Sequence, residues 1–281
     1  MKKPSASRRH FILTTLAAGS VAALASKAQA LTEAAASTSS PTELPSLAGR
    51  KVLVVRGGYE PHEPVQCTDL FIPWMRAEGA KVHVFDSLEA YADKSLMGAQ
   101  DLILQSWTMG TLGKEQEEGL LNAVRNGCSL AGWHGGLCDS FRANTGYWYM
   151  TGGQWVAHPG GAIDYTVDIT DPEDPVTRGL TSFAMHSEQY YLLIDPNSKV
   201  LATTTFSGAH DAWIKGCVIP VAWKKSFGKG RVFYSSVAHN SKDFRVPQVL
   251  ELMKRGIRWA SASKHAPAEP CVRPAYPGAS T

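Results

Sequence analysis

The sequence predicts an α/β domain built on a doubly wound, mostly parallel sheet, with additional antiparallel strands in its second half. Three observations carry this prediction. Short apolar runs alternate with helical repeats between residues 51 and 133, as right-handed crossovers between parallel strands require. The runs are continuously apolar, which suits strands buried on both faces. After residue 160 the pattern changes to strands that alternate with period two and are separated by turn residues.

Taken in order, Val52–Val55 reads as the first strand, and Leu70, Phe71, Trp74 and Met75 then repeat at helical spacing. Val82–Phe85 is a second strand, and His83 within it reads as structural. Leu102–Leu104 is a third, followed by an amphipathic helix over Lys114–Arg125 with Leu120, Leu121 and Val124 on one face. Ser129–Trp133 is a fourth. In the second half Ile163–Ile169, Val200–Phe206, Val218–Trp223 and Val232–Ser236 read as strands that extend the sheet or form an antiparallel flap. A last helix over Val246–Ala260 has Val249, Leu252, Met253 and Ile257 on one face.

The ends carry other signals. Lys2 and Lys3, then Ser7-Arg8-Arg9-His10-Phe11-Ile12, an apolar run to Ala25 and the small-x-small site Ala28-Gln29-Ala30 read as a twin-arginine signal over residues 1–30. The apolar run is shorter than the roughly 20 residues a spanning helix needs. Cleavage would leave no stable membrane insertion, retention as an anchor being the alternative. The expected location is periplasmic or secreted, with the twin-arginine export machinery as a partner. Residues 31–46 read as a disordered linker, 47–263 as the domain, and 264–281, with four prolines, as a disordered tail.

The signal holds five Lys/Arg and no Asp/Glu, so its removal turns the formal net charge of +3 into −2. A near-neutral domain without a basic stripe argues against nucleic acid as a partner. Cys67, Cys128, Cys138, Cys217 and Cys271 show no C-x-x-C spacing, which argues against a thiolate zinc site. Cys128 and Cys217 begin apolar runs and read as small core hydrophobes.

Ligands of open parallel sheets bind beyond the carboxyl ends of the strands, where strand order reverses. Three histidines follow predicted strands: His62 in Arg56-Gly57-Gly58-Tyr59-Glu60-Pro61-His62-Glu63, His134 in Gly132-Trp133-His134-Gly135-Gly136, and His239 in Val237-Ala238-His239-Asn240. The segment around His134 has the G-x-nucleophile-x-G spacing of a nucleophile elbow, with imidazole where a thiol or hydroxyl would stand. Imidazole there suits proton transfer or metal binding better than a stable acyl intermediate, and Cys138 lies past the turn. Glu188, in His186-Ser187-Glu188-Gln189-Tyr190, is the best carboxylate, with helix capping or an ion pair as its alternative role. His62 and His239 have backbone-bonded loop histidines as theirs. Gly57-Gly58 lacks the G-x-G-x-x-G spacing, so no nucleotide cofactor is expected.

The motifs Arg56-Gly57-Gly58 with His62, Trp107-Thr108-Met109-Gly110, Gly132–Gly136, Gly152–Gly161, Ser187–Tyr191 and Tyr234-Ser235-Ser236 with His239 together resemble the ThuA-like (trehalose utilisation) family, from about Lys51 to Ala260. The resemblance implies a class I glutamine amidotransferase-like, flavodoxin-like fold and a link to utilisation of trehalose and related disaccharides alongside keto-sugar intermediates.

On that basis the expected ligand is a small-molecule carbohydrate, contacted by Gly58, Trp107, Trp155, His158 and Tyr190, with Trp155 as a stacking face. His134, Glu188 and His239 are the candidate catalytic residues, with His134 and Glu188 as the proton-handling pair. His62, His134 and His239 are candidate ligands for a divalent metal, zinc or similar. A sugar-binding protein without turnover is the alternative, a glutaminase-like hydrolase ranks last, and homo-oligomerisation stays open.

Overall fold

A computed structural model describes residues 43–267. The expected twin-arginine signal at residues 1–30, most of the expected linker, and the end of the expected tail with Cys271 lie outside the described residues. The elements in chain order are β1 (Lys51–Gly57), α1 (Pro64–Ala77), β2 (Lys81–Phe85), α2 (Lys94–Ala99), β3 (Leu102–Trp107), α3 (Lys114–Arg125), β4 (Ser129–Trp133), α4 (Gly135–Cys138), α5 (Thr145–Thr151), β5 (Gly153–Ala157), β6 (Ala162–Ile169), β7 (Phe183–Glu188), β8 (Tyr191–Ile194), β9 (Lys199–Thr205), β10 (Val218–Phe227), β11 (Gly230–Ser235) and α6 (Pro247–Ala260).

Nine of the strands form one sheet in the order β2-β1-β3-β4-β11-β10-β9-β6-β7. β2, β1, β3, β4 and β11 are parallel, and the pairs from β11 to β7 are antiparallel. The parallel half is wound on both faces, and its side chains show why. Val52, Val54, Leu104, Ala131 and Phe233 point into a layer shared with Phe71 and Met75 of α1 and Leu252 and Ile257 of α6. Their neighbours Leu53, Val55, Ile103, Leu130 and Val232 point into the opposite layer, with Leu120 and Val124 of α3. The period-two alternation of a strand thus serves two cores at once.

Several readings need correction. His83 is exposed rather than buried in a strand, because β2 is the edge of the sheet and its burial alternates. Leu70 is likewise exposed on α1. Cys217 is only half buried, sitting in the turn before β10, whereas Cys128 is buried as expected. At the C-terminal side, His265 Nε2 lies 2.9 Å from Asp101 Oδ1, and Lys264 reaches the carbonyls of Gly98 and Gln100. Among the described residues no helix is long and apolar enough to cross a membrane.

The seam between α6 and the sheet yields one stability prediction. A Cβ at Gly256 would lie 2.0 Å from Phe233 Cε1, so helix and strand meet with no space for a methyl group. Gly256→Ala should destabilise the domain by about 1–3 kcal/mol through overpacking. A thermal melt that shows no loss would contradict that fit.

Candidate metal and acid-base site

The site lies beyond the carboxyl ends of β1 and β4, around the point where the chain reverses strand order between β1 and β3. His134 caps β4 with φ 48° and ψ −138°, a conformation L-residues rarely adopt. The flanking glycines make the turn feasible: a Cβ at Gly132 would lie 2.6 Å from Gln105 O, and one at Gly136 2.8 Å from Ser106 Cα. Gly135 leaves room for the neighbouring imidazole, since a Cβ there would lie 2.5 Å from His62 Cε1. The one-turn α4 ends in Cys138, whose buried thiol has a pKa raised well above the usual value, so no thiolate stands at the elbow.

His134 is 1% exposed. Its ring stacks on Tyr190 with centroids 3.9 Å apart. Its Nδ1 lies 2.8 Å from the Ser236 carbonyl, which can only accept, so Nδ1 carries a proton and the neutral ring presents a lone pair on Nε2. That Nε2 faces Glu188 Oε2 at 3.1 Å and His239 Nδ1 at 3.3 Å, and His239 Nδ1 is 3.2 Å from the same carboxylate oxygen. His62 completes the group, with its Nδ1 engaged by Thr108 Oγ1 at 2.8 Å.

Ligand atoms of His62, His134, Glu188 and His239 all lie within 4.8 Å of one another, so these four residues could hold a metal ion. The chemistry of the set fits. Electron pairs crowded this closely repel unless a proton or cation lies among them. For ligand bonds of about 2.0–2.1 Å, a tetrahedron has edges of about 3.3 Å. The three separations among His134, Glu188 and His239 match that edge, and the Nδ1 contact to a backbone carbonyl is the usual way a ligating histidine is oriented.

Glu188 arrives from an unexpected direction. β7 is five ladder steps from β4, about 24 Å in a flat sheet, yet its last residue, Glu188, touches His134, the residue that follows β4. β6 pairs with β9 only at Asp168 and Ile169, so the β6–β7 ribbon leaves the sheet there and arches back over the strand ends. Gln189 Nε2 donates to Thr204 Oγ1 at 2.7 Å, which fixes the residue after Glu188 to β9.

Electrostatics follow from this packing. Burial, helped by the neighbouring His134 and His239, pushes the His62 pKa down to about 3. Burial lowers that of His134 as well, outweighing the bonds that its charged form would make to Glu188 and Ser236. Burial works against the Glu188 carboxylate, but hydrogen bonds and charge interactions with His134 and His239 outweigh it and hold the group well below the ordinary range. The bond to Glu188 raises His239.

The remaining candidates occupy different positions. His158, between β5 and β6, has Nδ1 2.9 Å from Glu188 Oε2 without the alignment of a hydrogen bond, and its side chain is 37% exposed. Trp155 meets His158 edge-on at 5.6 Å, and the Arg142 guanidinium covers one indole face at 4.5 Å. Arg142 is held by Asp139 at 2.5 and 2.9 Å. Trp107 packs against Gly57 and Gly110, and Gly58 against the Thr108 backbone, so both border the His62 loop rather than the four-residue group. The indole N–H groups of Trp107 and Trp155 are buried without a hydrogen-bond partner. Sequence reasoning quoted Thr108 and Ser236 only within family motifs, without a role, and missed Arg142. Thr108 and Ser236 stand directly after β3 and β11, so the strand-end criterion that found the histidines would have found them.

The family model for ThuA, described as trehalose utilisation, matches residues 51–260. The chain belongs to the ThuA family. The ThuA-like fold recurs in a ThuA-like protein from Bacteroides uniformis, with a TM-score of 0.64 at 15% identity over 77% of this chain and 92% of that one. A second, from Parabacteroides merdae, aligns with a TM-score of 0.57 at 14% identity over 76% and 90%. At these identities the likeness shows the fold. Among curated proteins none matches this ThuA chain.

Proposed function

We propose that this ThuA-family chain is an exported enzyme that processes a disaccharide or an oxidised (keto) sugar by metal-assisted acid-base chemistry. The observation that carries the reading is the convergence of His62, His134, Glu188 and His239 at the strand ends. A divalent first-row metal such as zinc would be held by these four residues, and when bound it supplies Lewis-acid stabilisation to a carbonyl or enolate oxygen. A ketone makes the neighbouring ring C–H removable, so isomerisation, epimerisation or elimination of the glycosidic bond requires a base, an acid and stabilisation of the enolate.

The chain's own groups divide the work. The Nε2 lone pair of His134 serves either a metal or a proton. Where it serves the metal, His158 is the imidazole that takes the substrate proton, because it adjoins Glu188 and is open to solvent. Where no metal is held, His134 and Glu188 form the proton-handling pair. Trp155, partly exposed beside His158, supplies apolar surface for a sugar ring, whereas Tyr190, 3% exposed beneath the His134 ring, is a packing residue and not the sugar contact expected of it. The twin-arginine pattern of residues 1–30 supports export as a folded, already loaded protein to the periplasm or beyond.

Protein purified without chelator is expected to carry close to one equivalent of a first-row metal by elemental analysis, and less than about a tenth of an equivalent would dismiss the metal. A thermal-shift screen of disaccharides, keto-sugars and divalent metals is expected to show a raised Tm with at least one sugar, since binding to the native state stabilises it. A screen in which no sugar raises Tm would remove the carbohydrate reading. A second reading is sugar binding without turnover, for which the partly exposed Trp155 beside the solvent-open His158 would serve equally well.

A further inference from the structure

The four residues of the site come from four separate stretches of chain, and two of them stand on weak supports. His134 is locked in the elbow, but His239 lies on a loop and Glu188 on the ribbon that has left the sheet. Both are tied to one buried oxygen. Asp243 Oδ2 accepts the backbone N–H of His239 at 2.9 Å and the hydroxyl of Ser187, the residue before Glu188, at 2.6 Å. Asp243 opens a short 3₁₀ turn whose next residue, Phe244, packs edge-on against Phe71 and Trp133 at 5.0 and 5.4 Å, so the carboxylate is anchored to the core.

A parallel clasp joins the third arm. Glu63, next to His62, has φ 48°, and its Oε2 accepts both the backbone N–H of Ser241 at 3.0 Å and its hydroxyl at 2.5 Å. Each carboxylate therefore takes one amide and one hydroxyl, and each stands beside a member of the four-residue group. Bonds to an ionised acceptor are about twice as strong as neutral ones, which suits them to fixing distances.

We infer that Asp243 is a positioning residue that sets the distance between His239 and Glu188, with Glu63 setting the approach of His62 through Ser241. The inference rests on the metal reading of the site. Outer partners of metal ligands typically govern about 10–100-fold in affinity.

The test is a zinc titration of the full chain against a chromophoric chelator, with apo-protein Tm measured alongside. Asp243→Asn and Ser187→Ala are each expected to weaken zinc by about 10–100-fold, while the apo Tm of Ser187→Ala stays near that of the wild type. The double variant should be no weaker than Asp243→Asn alone if the Ser187 hydroxyl acts only through the charge on residue 243. Ser187→Thr, which keeps the hydroxyl, should restore affinity, and a purely structural role would move Tm instead. Should Asp243→Asn fail to fold, Ser187→Ala decides the matter by itself. Wild-type binding with both variants within about threefold of it overturns the positioning role and leaves the metal reading intact. A wild type that binds no zinc overturns both.

Discussion

His134→Ala is expected to lower sugar turnover by about a hundredfold or more and to reduce metal content to below about a tenth of an equivalent. The substitution deletes the donor that the fold holds most firmly, with Nδ1 tied to Ser236 and the ring face covered by Tyr190. It also leaves the Glu188 carboxylate half buried with one imidazole fewer. The change acts on both readings of the lone pair, so loss of turnover follows whether His134 holds a metal or moves a proton. Metal content separates the two: a variant that keeps its metal but loses turnover assigns His134 to proton transfer. A sugar-binding protein without turnover would show only a modest loss of affinity, read by calorimetry. Retention of both metal and turnover would remove His134 from the site.

Much of this site was legible in the sequence because its signals are local. Flanking glycines around His134 announce a tight strand-to-helix turn, and His62 and His239 each follow a run that could only be a buried strand. The period-two alternation of Ile163–Ile169 likewise survives as β6, half buried on one side. What was not legible is long-range. Nothing in Ser187–Tyr191 says that the last strand in the ladder arches back to meet the fourth, because that depends on where β6 parts from β9. Asp243 escaped for the same reason: its partners are a backbone amide and a serine 56 positions earlier. The small β5–β8 sheet was missed because Gly153–Ala157 sits in a glycine-rich stretch that reads as loop, and its pairing is broken by an irregularity between Trp155 and Ala157. His83 lies in β2 as read, but exposed, because an apolar run on an edge strand looks the same as one in the centre.

The arched ribbon needs a firm base, and a buried ion cluster beneath β9 and β10 supplies it. Asp174 is 2% exposed. Its Oδ2 accepts from Lys199 Nζ at 2.5 Å and Lys224 Nζ at 2.8 Å, and its Oδ1 takes the Val176 N–H at 2.9 Å. Lys224 is fully buried and its ammonium lies 4.5 Å from the centre of the Trp259 ring. Asp174→Ala should therefore cost about 3–5 kcal/mol, the usual penalty for removing one partner of a buried pair. That is a large part of a typical margin of about 5–15 kcal/mol. Asp171, 3.4 Å from Lys199, offers that lysine a partial substitute and favours the lower end of the range.

The pH dependence has a definite sign. Burial opposes the Asp174 charge, but Lys224 and the bonds from Lys199 and Val176 outweigh it and hold the pKa below the ordinary 3.8. Its contribution is therefore present above the unfolded value and lost as pH falls through the folded one. Burial likewise opposes the Lys199 charge, yet Asp174 and Asp171 raise its pKa above 10.5, so its share is complete below that value and lost as pH rises through the raised one. Urea unfolding at neutral pH should show the full gap between wild type and Asp174→Ala, and the gap should narrow as acid protonates the aspartate. A gap below about 1 kcal/mol at neutral pH, the level of an exposed pair, would mean that the cluster contributes no more than a surface contact and that the ribbon carrying Glu188 is held by its ladder to β9 and its side-chain ties instead.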